Sequence, residues 1–253
     1  LWDHRREALQ HWIREGMNGY VNMATATGKT VLGLAAAAYA VDSGSLHPAD
    51  RREIETGFDG GLPDAGRSRS DDVLIVTTDN LLGVQWSRLF QEHCHTPPEY
   101  TQIEDGSIEL PWGTIDIRSA NDIHITEADP EAYRLAIFDE VHNYSGAGWG
   151  AILNRFIESS CSVLALTGSA TEEFESRIED ADQSFPQVDD PYTHREAISD
   201  GIVPDFSWTL AFTQVQDNKH LDDLRTGAEK IPQLVEYNSD GLKVPRPGSD
   251  LSR

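Results

Sequence analysis

The chain has 253 residues, with 20 Lys and Arg against 43 Asp and Glu, for a formal net charge of −23. Its 38% hydrophobic content suffices for the core of one large domain or two small ones, which excludes wholesale disorder. The longest apolar stretch, over residues 31–41, falls far short of the roughly 20 residues a spanning helix needs, so no membrane association is expected.

Residues 1–16 read as an amphipathic helix with Leu1, Ala8, Leu9, Trp12 and Ile13 on its apolar face. They lack the apolar run of a signal peptide, and the missing initiator Met fits a chain that starts inside a longer one. A short strand over Gly19–Met23 leads through Ala24-Thr25-Ala26-Thr27-Gly28-Lys29-Thr30 into a helix over Val31–Val41. Residues 42–71, rich in Asp, Gly, Ser, Pro and Arg without a period, read as a surface insertion. A buried-type strand over Val73–Thr77 precedes a helix over Leu81–His93, and two short strand-like runs lie within Ser107–Ser119. A further buried strand, Leu135–Phe138, closes on Asp139-Glu140-Val141-His142. A helix over Trp149–Ser159 and a strand over Ser162–Leu166 lead to Thr167-Gly168-Ser169-Ala170-Thr171. An alternating run over Phe206–Val215 reads as a strand, and residues 216–253 as a linker or the truncated start of a second domain. Strands alternating with helices predict an α/β fold with a mainly parallel sheet, whose carboxyl edge is where ligands bind. Cys94 and Cys161 form neither a disulfide framework nor a metal quartet, which favours a reduced, cytoplasmic protein.

Two segments carry chemistry. A strand that breaks into a small-residue loop and enters a helix offers backbone N–H groups and a helix N-terminus to an anion. Ala24, Thr25, Ala26, Thr27 and Gly28 are the cradle, Lys29 can reach the β- and γ-phosphates, and the Thr30 hydroxyl can bind Mg²⁺. The first Gly of the strict phosphate-loop pattern is replaced by Met23, and Ala26 stands where a Gly is wanted. If positive φ is needed there, Ala costs on the order of 1–2 kcal/mol. At the second segment, Asp139 is assigned to magnesium and Glu140 to the general base that polarises the attacking water. His142 is placed to sense the γ-phosphate or to make a structural hydrogen bond.

The order of these parts resembles the first RecA-like domain of a superfamily 2 helicase. Ala24–Thr30 resembles motif I, and Asp139-Glu140-Val141-His142 the DEAD/DEAH-type motif II. Thr167–Thr171 resembles motif III, which links ATP state to nucleic-acid contact through Ser169 and Thr171. Thr78–Trp86 resembles motif Ia, with Thr78 and Asp79 in place of Pro and Thr. Aligning the first helix with the adenine-reading segment puts Arg5 where the family has Gln, and Gln10 one turn too late. Residues 192–204 are similar to the end of that domain in the branch of type III restriction subunits and XPB-like helicases. The resemblance covers residues 1–215.

It implies a RecA-like P-loop domain that binds ATP and Mg²⁺ and contacts DNA or RNA, through Gln85, Trp86, Arg88, Arg118, Ser119 and Thr171. Trp86 stays open between strand contact and core packing, and Arg118 between strand contact and a solvated face. The family's second RecA-like domain, in cis or in trans, supplies arginine fingers worth on the order of 10³–10⁵ in rate. Their motifs do not appear in this sequence, so hydrolysis by this chain alone is expected to be slow. Two other readings stand beside the helicase or translocase. One is the motor of a restriction or defence complex with a nuclease or methylase subunit. The other is a non-catalytic degenerate fragment, favoured by Arg5, Ala26 and Asp79. Only four of the basic residues are Lys, and an Asp-rich, Lys-poor surface suits a halophilic protein working in concentrated salt. An ordinary acidic cytosolic protein is the alternative.

Overall fold

The computed structural model describes residues 3–41, 72–93, 103–104, 106–110, 113–179, 185–205, 235–237 and 243–245. The expected insertion at 42–71, Cys94 and the expected strand at 206–215 lie outside the described residues. So does the expected linker at 216–253, apart from two short strands. The chain divides into two compact units, Leu1–Val203 and Pro204–Arg253.

In the first unit, α1 (Asp3–Arg14) buries Ala8, Leu9, Trp12 and Ile13, an apolar stripe at helical spacing. Its dipole is complemented by Asp3 in the first turn and by His11 and Arg14 in the last. The Trp12 indole donates to the Val163 carbonyl at 3.0 Å, which fixes the helix to the sheet. The helix gives way to Gly16 and Met17, both at positive φ (75° and 62°). Strand β1 (Asn18–Asn22) then runs to the loop that opens α2 (Lys29–Val41). The second helix is Ala-rich and buried on nearly every side, since alanines combine high helix propensity with little bulk between neighbours.

Strand β2 (Val73–Thr77) and helix α3 (Asn80–His93) follow. Then come β3 (Ile103–Glu104), β4 (Ser107–Leu110), β5 (Gly113–Ser119) and the short α4 (Ile123–Glu127). Strand β6 (Leu135–Phe138) leads through a 3₁₀ turn at Val141–Ser145 to α5 (Ala147–Ile157). Strand β7 (Ser162–Thr167), α6 (Glu172–Glu179) and α7 (His194–Ser199) complete the unit.

The seven strands form one sheet in the order β1-β7-β6-β2-β5-β4-β3. The first five are parallel, and β3 and β4 extend the edge as an antiparallel hairpin on β5. Alternation along the strands divides the core. Val21, Val73, Ile75, Leu135, Ile137, Leu164 and Leu166 face α1, α2 and α3. Leu74, Val76, Ala136, Phe138, Val163 and Ala165 face α5 and α6. A sheet covered on both faces needs apolar residues at every position, which is why β2 and β6 are fully buried. This is the expected RecA-like α/β fold, with a mainly parallel sheet flanked by helices.

The outer edge of β1 is not bare. Tyr20 donates its N–H to Pro186 O at 3.0 Å and Val188 returns one to Tyr20 O at 3.0 Å. Tyr192 donates to Asn22 O at 2.9 Å and Ala24 to Tyr192 O at 2.8 Å. The segment 185–192 thus shields a sheet edge and holds the start of the loop that follows β1. In the second unit, β8 (Val235–Tyr237) and β9 (Lys243–Pro245) form an antiparallel pair.

Candidate functional site

The parallel strands all end on one edge, and every segment singled out for chemistry leaves from that edge. β1 runs into Ala24–Thr30, β2 into Thr78 and Asp79, β6 into Asp139 and Glu140, and β7 into Gly168 and Ser169.

The loop after β1 is shaped by two left-handed residues, Ala26 at φ 63° and Gly28 at φ 91°. The conditional expectation for Ala26 is realised: the loop does take positive φ there. Alternating left-handed residues turn successive N–H groups inward, the geometry that receives an anion. Thr27 is fully buried and its hydroxyl donates to Ala24 O at 2.6 Å, closing the loop on itself. His4 bonds the Thr27 carbonyl at 3.2 Å and stacks on Tyr192 with ring centroids 4.3 Å apart. Burial lowers the His4 pKa, with the Thr27 contact opposing. Arg5 is buried beneath the loop, and a Cβ at Gly28 would come within 2.7 Å of its Cζ. Burial likewise lowers the pKa of this guanidinium. Arg5 is therefore a neighbour of the loop at Gly28.

Lys29 is the first residue of α2 and is buried, with Thr30 half-buried beside it. The Lys29 Nζ donates to Met23 O at 3.2 Å and lies 3.8 Å from Glu140 Oε1. Glu140 takes a left-handed conformation (φ 50°, ψ 50°), which turns the chain sharply at the strand end. Its other oxygen lies 3.4 Å from His142 Nδ1. That nitrogen is also 3.0 Å from the Thr167 hydroxyl, and Asn143 Nδ2 is 3.2 Å from His142 Nε2. His142 thus joins the ends of β6 and β7.

Asp139 is buried at 6% exposure. Its Oδ1 accepts from Glu140 N at 3.0 Å and its Oδ2 from the Trp86 indole at 2.8 Å. Burial raises the pKa of this carboxyl, while the Trp86 bond works the other way. Asp139 and Thr30 offer the hard oxygen donors that Mg²⁺ takes. Among the described residues no three His, Cys, Asp or Glu side chains converge on a metal-sized site. Mg²⁺ needs no such cage, since it commonly takes one or two protein oxygens and completes its shell with phosphates and water. The residues present fit the ion.

The residues expected to contact nucleic acid divide. Gln85 and Arg88 are exposed on α3, and Ser169 is exposed after β7. Trp86 is corrected: at 1% exposure it is core, packed against α2, and cannot touch a strand. Its position on the apolar stripe of α3 outweighs its place in motif Ia. Thr171 caps α6, its hydroxyl accepting from Phe174 N at 3.2 Å. Asp79 caps α3 in the same way, accepting from Leu82 N at 2.9 Å. Arg118 lies 3.6 Å from Asp116 and 4.0 Å from Asp122, so its charge is largely compensated. With Thr78, Asp79, Asn80 and Ser119 it lines a cavity of about 590 Å³ at the ends of β2 and β5.

The sequence assigns no individual role to His4, Tyr192 or Gly168. A Cβ at Gly168 would stand 3.1 Å from Lys29 Nζ, so a side chain there would crowd the ammonium. The signal for Gly168 in the sequence is a Gly next to Ser at the end of a buried strand.

Among the described residues no helix is long and apolar enough to cross a membrane. No curated protein matches the chain. Among solved structures, the helicase domain of Hef from Pyrococcus furiosus is similar at 18% identity and a TM-score of 0.45. That match covers 70% of this chain and 36% of the other. The family described as type III restriction enzyme, res subunit, matches residues 1–172. The chain belongs to this family, and within superfamily 2 it carries the first RecA-like helicase domain.

Proposed function

We propose that the chain is the first motor domain of an ATP-dependent helicase or translocase that acts on DNA or RNA in the cytoplasm. The observation that carries this reading is the convergence of Lys29, Glu140 and the buried Asp139 beside a loop held in an anion-receiving conformation. Ala24 to Thr30 cradle the phosphates of ATP, and Lys29 exchanges its contacts with Met23 O and Glu140 for phosphate oxygens. Thr30 and Asp139 hold Mg²⁺, which supplies charge neutralisation to the phosphates when bound. Glu140 then accepts the proton of the attacking water, and His142 carries the change to Thr167 and the segment after it. Arg5 contributes beneath the loop, near the nucleotide. The strand runs over the edge that carries Gln85, Ser169 and the cavity beside Arg118.

A second RecA-like domain, in cis or in trans, completes the ATP cleft with arginine fingers. A restriction complex with a nuclease or methylase subunit is the assembly that the family description favours. A non-catalytic role is a second reading. It is favoured by Asp79, whose carboxylate already occupies the N-terminus of α3, where a backbone phosphate would otherwise be received.

Isothermal titration with ATP and Mg²⁺ tests the proposal. The chain binds, and Lys29→Ala weakens binding at least tenfold. No affinity, or an affinity indifferent to Lys29→Ala, overturns the motor reading.

A further inference from the structure

Trp86 and Asp139 come from different elements, α3 and the end of β6, and meet in the interior. The 2.8 Å bond from the indole Nε1 to Oδ2 links two side chains that are 1% and 6% exposed. The second carboxylate oxygen is held by Glu140 N at 3.0 Å. Each oxygen thus has one N–H donor and keeps lone-pair capacity for a further partner, so the carboxylate is oriented without being saturated.

The indole itself has little freedom. Its far edge lies against α2 so closely that a Cβ at Gly33 would stand 2.4 Å from Cη2. Gly33 is therefore the residue that admits the ring, and the ring cannot turn without moving α2 or α3. The same helix α3 exposes Leu81, Val84, Gln85 and Arg88 on its outer side and opens beside the 590 Å³ cavity.

We infer that Trp86 is a positioning residue for Asp139: it sets the carboxylate orientation presented to Mg²⁺ and makes that orientation depend on where α3 sits. This rests on the reading of Asp139 as the magnesium carboxylate. Loss of a partner that orients a metal ligand typically costs 10–100-fold in metal affinity.

The test is calorimetric titration of the full chain with ADP, in Mg²⁺ and in EDTA, for wild type, Trp86→Phe, Asp139→Asn and the double variant. Trp86→Phe is expected to keep its affinity in EDTA and to lose about tenfold of the gain that Mg²⁺ provides. In the Asp139→Asn background it is expected to cost nothing more. A packing role alone would weaken both titrations equally. A second readout needs no folded variant. The indole N–H resonance of Trp86, assigned through the contact of its ring with Gly33, is expected to shift when Mg²⁺ joins the ADP-bound wild type. A Mg²⁺ gain in Trp86→Phe equal to wild type, or an indole resonance indifferent to Mg²⁺, overturns the inference while Asp139 stands. A wild type without a Mg²⁺ gain, or Asp139→Asn that retains it, overturns the assignment of Asp139 and this inference with it.

Discussion

The Lys29 ammonium lies 3.1 Å from the point that a Cβ of residue 168 would occupy, so the missing side chain of Gly168 makes room for the lysine beside the loop after β1. The same Cβ would stand 3.3 Å from Thr25 Cγ2, on the loop itself. Gly168 is not among the glycines at positive φ, so alanine fits its backbone, and the cost falls on its neighbours. Gly168→Ala is expected to shift Lys29 and weaken ATP binding severalfold, with a melting temperature close to wild type. Titration calorimetry with a thermal melt reads both. Unchanged affinity would mean that the lysine reaches the phosphates from another direction.

Ala26→Gly isolates the strain in the loop. Ala26 holds φ 63°, which costs a residue with a Cβ roughly 1–2 kcal/mol. Glycine removes that cost and returns roughly 0.5–1 kcal/mol through the greater freedom of the unfolded chain. The balance is a gain of up to about 1.5 kcal/mol, visible as a higher midpoint in urea. A midpoint clearly below wild type would show that the loop carries no strain at this residue.

Much of this arrangement is legible in the sequence, for a physical reason. Strands β2, β6 and β7 are covered on both faces, so they appear as unbroken apolar runs, and the polar residues that end those runs are the site. The segment 185–192 is not legible in the same way. It carries two prolines and two aspartates, and its pairing partner lies about 170 residues earlier, on β1 and the residue after it. No local pattern announces such a contact. Helix α7 did leave a signal, the reciprocal capping box of Thr193 and Glu196. Trp86 shows how two readings of one residue compete: motif position assigns it to the surface, while periodicity assigns it to the core. The core prevails because the ring fills the space Gly33 leaves.

Cys161 gives a probe of folding that is independent of the site. It is 5% exposed, and burial pushes its thiol pKa up from the ordinary 9.0 to about 12. At pH 8 the folded chain therefore holds almost no thiolate at this residue, and iodoacetamide is expected to leave it unmodified until urea unfolds the chain. Mass spectrometry of the labelled peptide reads the outcome. The sign of the linkage also follows. Between 9.0 and about 12 the unfolded chain ionises this thiol and the folded chain does not, so its contribution to stability falls as pH rises through that window. Rapid labelling of Cys161 under native conditions would show that the strand end opens locally.

The net charge of −23 makes the last prediction. Charge that exceeds what ion pairs can neutralise repels itself across a compact surface and is relieved by unfolding. At 0.1 M salt the screening length is about 10 Å and at 1 M about 3 Å, so added salt removes the longer-range part of that repulsion. Cation-mediated compensation from within is scarce, since the whole sequence holds 20 Lys and Arg, and several of these already pair with carboxylates. The urea midpoint is therefore expected to rise from 0.1 M and to level off near 1 M potassium chloride, and to do so in a variant lacking Lys29 as well. Choline chloride should reproduce the rise, because it screens as potassium does but differs in its specific binding to carboxylates. A midpoint indifferent to salt would separate this protein's acidity from any demand of concentrated salt.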